Sequence, residues 1–130
     1  MLCEALGKAS VLLASPGCGS LADEFADRDG RPLSNRLNAL GVDIQTYLTF
    51  VVFTDTSRRQ ACTARVLGFT SPGNRMVNVC SEELKRAWQQ YPEHTVAALI
   101  HEMLHTLGLG ENPPSTHEIT RGVLDRCKAP

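Results

Sequence analysis

Apolar residues recur every three or four positions over several parts of this chain, as they do on one face of an amphipathic helix. The pattern predicts five helices, over residues 2–14, 33–40, 81–90, 92–107 and 115–127. Residues that typically begin or end helices agree with these limits. Gly41 and Gly108 follow two of the helices, Pro92 begins one, and Ser81 is expected to cap another. Helices are therefore expected to form most of the fold.

A smaller part of the chain has the composition of β-strands. Residues 47–54 are a β-branched and aromatic run, which predicts a strand buried on both faces. Residues 64–70 and 75–80 flank a turn-forming sequence, Ser71-Pro72-Gly73-Asn74, and are expected to pair as a hairpin. These strands and helices predict an α+β fold, with a small mixed β-sheet and flanking helices. No repeat or linker divides the chain, so we expect one domain over residues 1–130.

Composition and charge exclude several classes of function. Apolar residues make up 42% of the chain and charged residues 21%, which is typical of a soluble globular protein. The net charge of −1 gives no basic surface for nucleic acid or for an anionic membrane. No apolar run approaches the roughly 20 residues that a membrane-spanning helix needs. We expect a monomer with neither nucleic acid nor membrane as partner.

The cysteines predict disulfides rather than a zinc knuckle, because no CxxC pair is present. Cys62 and Cys80 flank the predicted hairpin and should lie close together. Cys127 could pair with Cys3 or with Cys18, whereas a Cys3–Cys18 bond would strain the helix between them. With five cysteines, at least one thiol is left over. This content favours an oxidising compartment, secreted or periplasmic, although no signal peptide is visible in the chain.

The predicted helix over residues 92–107 contains the strongest chemical motif, His101-Glu102-Met103-Leu104-His105. Residues four apart on a helix differ by about 40° in direction and about 6 Å along the axis, so both imidazoles can face one metal ion. Glu102 lies between them, where it could accept a proton from a water molecule held by the metal. The HExxH spacing thus predicts a metal site with a catalytic base.

Two later residues extend the motif to H-E-x-x-H-x-x-G-x-x-E. Gly108 can adopt the left-handed conformation that ends a helix and turns the chain back. Glu111 is the next side chain with ligand chemistry and is predicted to be the third ligand. Two histidines and one carboxylate leave the fourth position of a tetrahedral Zn²⁺ open to water, as in catalytic zinc sites.

The extended motif resembles that of the metzincin branch of the zincin metallopeptidases, HExxHxxGxxH, in which some relatives have an acid at the last position. Residues 101–120 resemble more closely a group of small bacterial zinc peptidases, and they read HEMLHTLGLGENPPSTHEIT. Weaker resemblance covers residues 18–21 and 69–73. The resemblance to these peptidases implies a minimal zincin-like domain. In such a domain the zinc ligands would be His101, His105 and Glu111, and the base would be Glu102. The metzincin methionine turn is missing, since no Met follows Met103.

Other polar residues near the motif have competing interpretations. His117 is a rival third ligand, and it could also contact substrate or lie exposed at a helix start. Glu118 fits the capping box S-x-x-E that begins at Ser115, which favours a structural role. His94 lies about 10 Å along the helix from His101, too far to share its ion.

These features predict a zinc-dependent metalloendopeptidase that acts on a peptide or protein substrate. The substrate would extend along an edge strand of the sheet, for which residues 75–80 are the first choice. Tyr47, Tyr91 and Arg121 are each able to stabilise an oxyanion. The alternative hypothesis is a protein that binds zinc and a partner through a zincin-type site without turnover. Hydrolysis of an unfolded protein separates the two.

Overall fold

The computed structural model describes residues 1–56, 61–63 and 66–128, and within these residues the chain forms eight helices and three strands. The helices are α1 (Leu2–Leu13), α2 (Pro16–Gly19), α3 (Leu21–Glu24), α4 (Ser34–Leu40), α5 (Ile44–Leu48), α6 (Ser81–Gln90), α7 (Pro92–Thr106) and α8 (Thr116–Arg126). The strands are β1 (Val52–Asp55), β2 (Gly68–Phe69) and β3 (Met76–Val79). The α+β class is confirmed.

The three strands form a mixed sheet in the order β1-β3-β2, with β1 parallel and β2 antiparallel to β3. The predicted hairpin is therefore present between β2 and β3, although residues 64 and 65 of its first strand lie outside the described residues. The prediction that residues 75–80 form an edge strand is wrong. β3 is the central strand, paired with β1 on one side and with β2 on the other, so it is not an edge strand to which a substrate could add.

The prediction of a buried strand over residues 47–54 is also wrong in part. Residues 47 and 48 of this run belong to α5, whose start is capped by the Asp43 side chain, which accepts a hydrogen bond from the backbone N–H of Thr46. Residues 49–51 lie between this helix and β1, which begins at Val52, a residue that is 52% exposed. Local capping thus overrides the β-propensity of the sequence.

Most helix ends agree with the sequence prediction. Gly41 and Gly108 have φ values of 72° and 112°, the left-handed conformation expected after α4 and α7. The capping box at the start of α8 is confirmed, with reciprocal hydrogen bonds between Ser115 and Glu118. Glu118 therefore has the structural role favoured by its sequence context.

Ser81 does not cap α6, as the sequence predicts, but is the first residue of that helix. Its hydroxyl donates a hydrogen bond of 2.8 Å to Oδ1 of Asp55 at the end of β1. The serine side chain therefore links the sheet to α6 instead of satisfying the N–H groups of the helix.

The helix α7 lies at the centre of the fold, in contact with α1, α6, α8 and the sheet. Its apolar stripe is almost completely buried: Val96, Ile100, Met103 and Leu107. At its C-terminal end, the backbone N–H of Gly73 in the β2–β3 turn donates a 3.0 Å hydrogen bond to the carbonyl of His105. The core and the hairpin together fix α7 from several sides.

Two disulfides connect distant parts of the chain. The expected proximity of Cys62 and Cys80 is confirmed by a disulfide between them. Cys127 pairs with Cys18, which settles the choice that the sequence leaves open, and Cys3 is exposed and belongs to neither bond. The two bonds are consistent with an oxidising environment. Among the described helices, none has the length and apolar character needed to cross a membrane.

Candidate metal centre

His101 and His105 lie one turn apart near the C-terminal end of α7, and each is only 5% exposed. Their ring centroids are 4.9 Å apart and their Nε2 atoms are separated by 3.0 Å. The i, i+4 spacing therefore brings both imidazoles to one point, as the HExxH motif predicts.

The Nδ1 atom of each histidine contacts a partner outside α7. Nδ1 of His105 lies 2.7 Å from the carbonyl oxygen of Leu109, and Nδ1 of His101 lies 2.9 Å from the hydroxyl of Thr120. A carbonyl only accepts, so neutral His105 has its hydrogen on Nδ1 and a lone pair on Nε2. The Thr120 hydroxyl can donate or accept, which suits either tautomer of His101. Both Nε2 atoms point to the same place.

Glu111 returns to the two histidines after the turn at Gly108. Its Oε1 atom lies 3.5 Å from Nε2 of His101 and 3.6 Å from Nε2 of His105. The hydroxyl of Thr116 donates a hydrogen bond to the same oxygen. Burial raises the pKa of Glu111, but the Thr116 hydrogen bond and the charges of the histidines outweigh this effect, and the net pKa is lowered. The structure therefore places a carboxylate beside both imidazoles.

Glu102 lies between α7 and the sheet. Its Cγ atom is 3.7 Å from the position that a Cβ on Gly68 of β2 would occupy. Its Oε2 atom is buried and has no hydrogen-bond partner among the described residues. Burial, followed by the charge of Glu111, raises the pKa of Glu102 to about 8.

The electrostatics of His101 favour a neutral ring. Burial and the charge of His105 lower the pKa of His101 to about 4, against a smaller opposing effect of Glu111. A neutral imidazole with a free Nε2 lone pair is the form that binds metal. Ligand atoms of His101, Glu102 and His105 lie within 4.8 Å of one another, so this group could hold a metal ion.

Other predicted site residues are not brought to this group. His94 and His117 are exposed, on the first turns of α7 and α8. Tyr47 is completely buried, and its hydroxyl lies 2.9 Å from that of Thr106. Tyr91 precedes α7, about 15 Å along the helix axis from His101. Arg121 follows Thr120 in α8 and is exposed.

Sequence reasoning missed the two threonines that contact His101 and Glu111, two of the predicted ligands. Thr120 is 19 residues from His101 and lies on another helix, so the motif gives no indication of the contact. One signal was present: Thr116 and Thr120 are four residues apart, which places them on one face of α8. Two hydroxyls on one helix face after a metal motif could have been read as contacts to its ligands.

Comparisons with known proteins give no match, either to a protein-family model, to a curated protein or to a solved structure. A function for this protein is therefore inferred from the chemistry of the His101, His105, Glu102 and Glu111 side chains.

Proposed function

We propose that this protein is a zinc-dependent metalloendopeptidase. The observation that carries the proposal is the convergence of two imidazole nitrogens and one carboxylate oxygen beside a buried carboxyl group, at the spacing that the extended HExxH motif predicts. The resemblance of residues 101–120 to small bacterial zinc peptidases supports the same conclusion.

The donor set supports zinc as the metal. Two histidines and a glutamate form one of the ligand sets of catalytic zinc sites, with a fourth position for water. Ligand atoms about 2.0–2.1 Å from a tetrahedral zinc lie roughly 3.3 Å from one another. The three separations among Nε2 of His101, Nε2 of His105 and Oε1 of Glu111 are 3.0, 3.5 and 3.6 Å. The site therefore suits zinc with small adjustments of the side chains.

Glu102 is the proposed general base. When bound, zinc would lower the pKa of water to about 7 and polarise a carbonyl group. Glu102 accepts the proton of the attacking water and delivers it to the leaving amine. Burial raises the pKa of Glu102 to about 8 in the metal-free protein, whereas a bound Zn²⁺ would lower it and so favour the carboxylate that acts as a base. Its buried Oε2 has no hydrogen bond to a described residue that would hold it away from a proton.

The position of Glu102 also indicates where a substrate lies. Because β3 is the central strand, the proposed substrate strand moves to β2, which lies at the end of the strand order and beside Glu102. An extended peptide alongside Gly68 and Phe69 would pair with main-chain groups by strand addition. This arrangement brings a peptide bond next to the base.

The two disulfides support a secreted or periplasmic location for this activity. The proposed substrate is accordingly a peptide or protein outside the cytosol, cleaved by a monomeric enzyme. A protein that binds zinc and a partner without turnover would have the same ligands, so metal content alone does not separate the two functions.

Glu102→Gln tests the proposal. The amide is nearly isosteric but cannot act as a base, so we expect unchanged zinc content and loss of activity by about 100- to 10,000-fold. The measurement is hydrolysis of a denatured protein by both variants at equal zinc occupancy.

Two results would contradict the assignment. Equal turnover in wild type and variant would mean that another group is the base. No turnover in the zinc-loaded wild type would favour the non-enzymatic zinc-binding protein.

A further inference from the structure

We propose that α8 is the element that positions the metal ligands, through two positioning residues, Thr120 and Thr116. Each hydroxyl contacts a different ligand: Thr120 contacts His101, and Thr116 contacts Glu111. This inference rests on the proposed metal site and names residues outside the HExxH motif that determine its affinity.

The geometry of α8 brings both hydroxyls to the ligands at once. Residues four apart lie on the same helix face, so Thr116 and Thr120 share one face of α8, and this face contacts Glu111 through Thr116 and His101 through Thr120. Ligands on two different elements, α7 and the loop after it, are therefore held by one rigid element. A shift of α8 would move both contacts together.

The Thr120 contact controls the orientation of the His101 ring. His101 is buried, and among the described residues its Nδ1 atom has the Thr120 hydroxyl as its hydrogen-bond partner. Loss of that hydroxyl would therefore leave Nδ1 without a described partner. Hydrogen-bonding the far nitrogen of a ligating histidine fixes the ring and its tautomer, and loss of such a partner costs about 10- to 100-fold in metal affinity. Thr120 should have an effect of this size.

The position of α8 is restrained by contacts to other elements. The Ser115–Glu118 capping box sets the residue at which the helix begins, since its N-cap, Ser115, lies one residue before Thr116. The end of α8 is joined through Cys127 to Cys18, and the helix packs on α7. The disulfide and this packing limit how far the two threonines can move relative to the ligands.

The test compares Thr120→Val, Thr120→Ser and Thr95→Val in the full-length protein. Valine keeps the shape and removes the hydroxyl, whereas serine keeps the hydroxyl. Thr95 is a matched control, because it is a completely buried threonine whose hydroxyl donates to the carbonyl of Tyr91, the residue before α7. The dissociation constant for zinc is measured by competition with a chelator at pH 7.5.

We expect Thr120→Val to weaken zinc binding by about 10- to 100-fold, while Thr120→Ser and Thr95→Val remain within about threefold of wild type. Thr116→Val should weaken binding less, because Glu111 is more exposed than His101, and Thr116→Ser should restore it. A Thr120→Val protein that binds zinc as wild type does would overturn the proposal. So would an equal loss in Thr95→Val, which would indicate a general loss of packing.

The outcome is independent of peptidase activity. Zinc binding that depends on Thr120 in a protein without turnover would support the role of α8 and contradict the proposed enzyme. Peptidase turnover together with unchanged zinc affinity in Thr120→Val would support the proposed enzyme and contradict the role of α8. Wild-type protein that takes up no zinc would overturn both.

Discussion

Neighbouring residues of the metal centre have pKa values that move in opposite directions. The pKa of His101 falls to about 4 and that of Glu102 rises to about 8, in both cases first because burial disfavours the charged form. Both groups are therefore neutral near pH 6 in the metal-free protein. Their linkage to folding has opposite signs: lowering the pH disfavours the fold through His101, and raising it does so through Glu102.

The stability of the metal-free protein should therefore fall as the pH rises from about 6.5 to 8. Over this range Glu102 keeps its proton in the folded state, with a pKa of about 8, whereas the unfolded chain has lost it. Glu102→Gln removes this dependence and should be more stable than wild type at pH 8, by roughly 1–4 kcal/mol. Urea unfolding with a chelator present, at three pH values, measures the effect. Parallel curves for the two proteins would show that Glu102 is not the group responsible.

Replacing the proposed ligands one at a time should show how much each contributes to zinc affinity. His101→Ala and His105→Ala should abolish stoichiometric zinc binding, because each removes one of three ligand atoms that lie within 3.6 Å of one another. Glu111→Ala should weaken it strongly, and His117→Ala should have little effect because His117 is exposed on α8. Metal analysis and chelator titration give the order. A larger effect of His117→Ala would mean that the loop after Gly108 folds differently around the metal.

At the scale of elements, the end of α7 determines where Glu111 goes. Gly108 has a φ of 112°, and a Cβ there would lie 3.4 Å from that of Asp27. The next residue, Leu109, pairs with Asp27 and also accepts the hydrogen bond of His105. A single turn thus joins the helix, the loop at Asp27 and two ligands.

Gly108→Ala should destabilise the protein by about 1–3 kcal/mol and weaken zinc binding as well, since alanine rarely adopts this φ and the path to Glu111 would change. Gly7→Ala is the matched control. Gly7 lies within α1, and a methyl group added there would have no neighbouring atom within 4 Å, so alanine should stabilise the protein by about 0.5–1 kcal/mol. Thermal unfolding with and without zinc checks both. Effects of the same sign at the two positions would contradict the argument from backbone conformation.

Elements whose signals are local could be predicted from the sequence. The limits of α7, the left-handed Gly108 and the capping box of α8 depend on residues a few positions apart, and the structure agrees with them. The order of the strands could not be predicted, because it depends on contacts between distant segments. The run over residues 47–54 shows the same limit, since its first two residues belong to a helix whose cap, Asp43, lies outside the run. For the site, the motif indicated the ligands but not Thr120, which is contributed by another helix.

At the scale of the whole molecule, the Cys18–Cys127 disulfide joins positions 109 residues apart, whereas Cys62–Cys80 joins positions 18 apart. In the chain-entropy description, a cross-link that closes a longer loop restricts the unfolded chain more. The long-range bond should therefore contribute more to stability, and it also holds the end of α8.

Replacing Cys18 and Cys127 together by alanine should lower the free energy of unfolding by about 4–5 kcal/mol, against about 3 kcal/mol for Cys62 and Cys80. Urea unfolding of the metal-free double variants measures the difference. The first pair should also weaken zinc binding, because α8 loses its attachment to α2. Equal zinc affinity in that variant and wild type would show that the non-covalent contacts of α8 with α7, α2 and α3 are sufficient to place it.

The direction of protein synthesis gives the same disulfide a further consequence. Cys18 emerges from the ribosome 109 residues before Cys127, and His101 and His105 emerge before Thr116 and Thr120. A nascent chain therefore cannot close this bond, or hold His101 as the finished protein does, until α8 has been made. For the proposed peptidase, the metal centre would be complete only once α8 has been synthesised and its disulfide has formed in an oxidising compartment, so a shorter nascent chain would have no completed protease site.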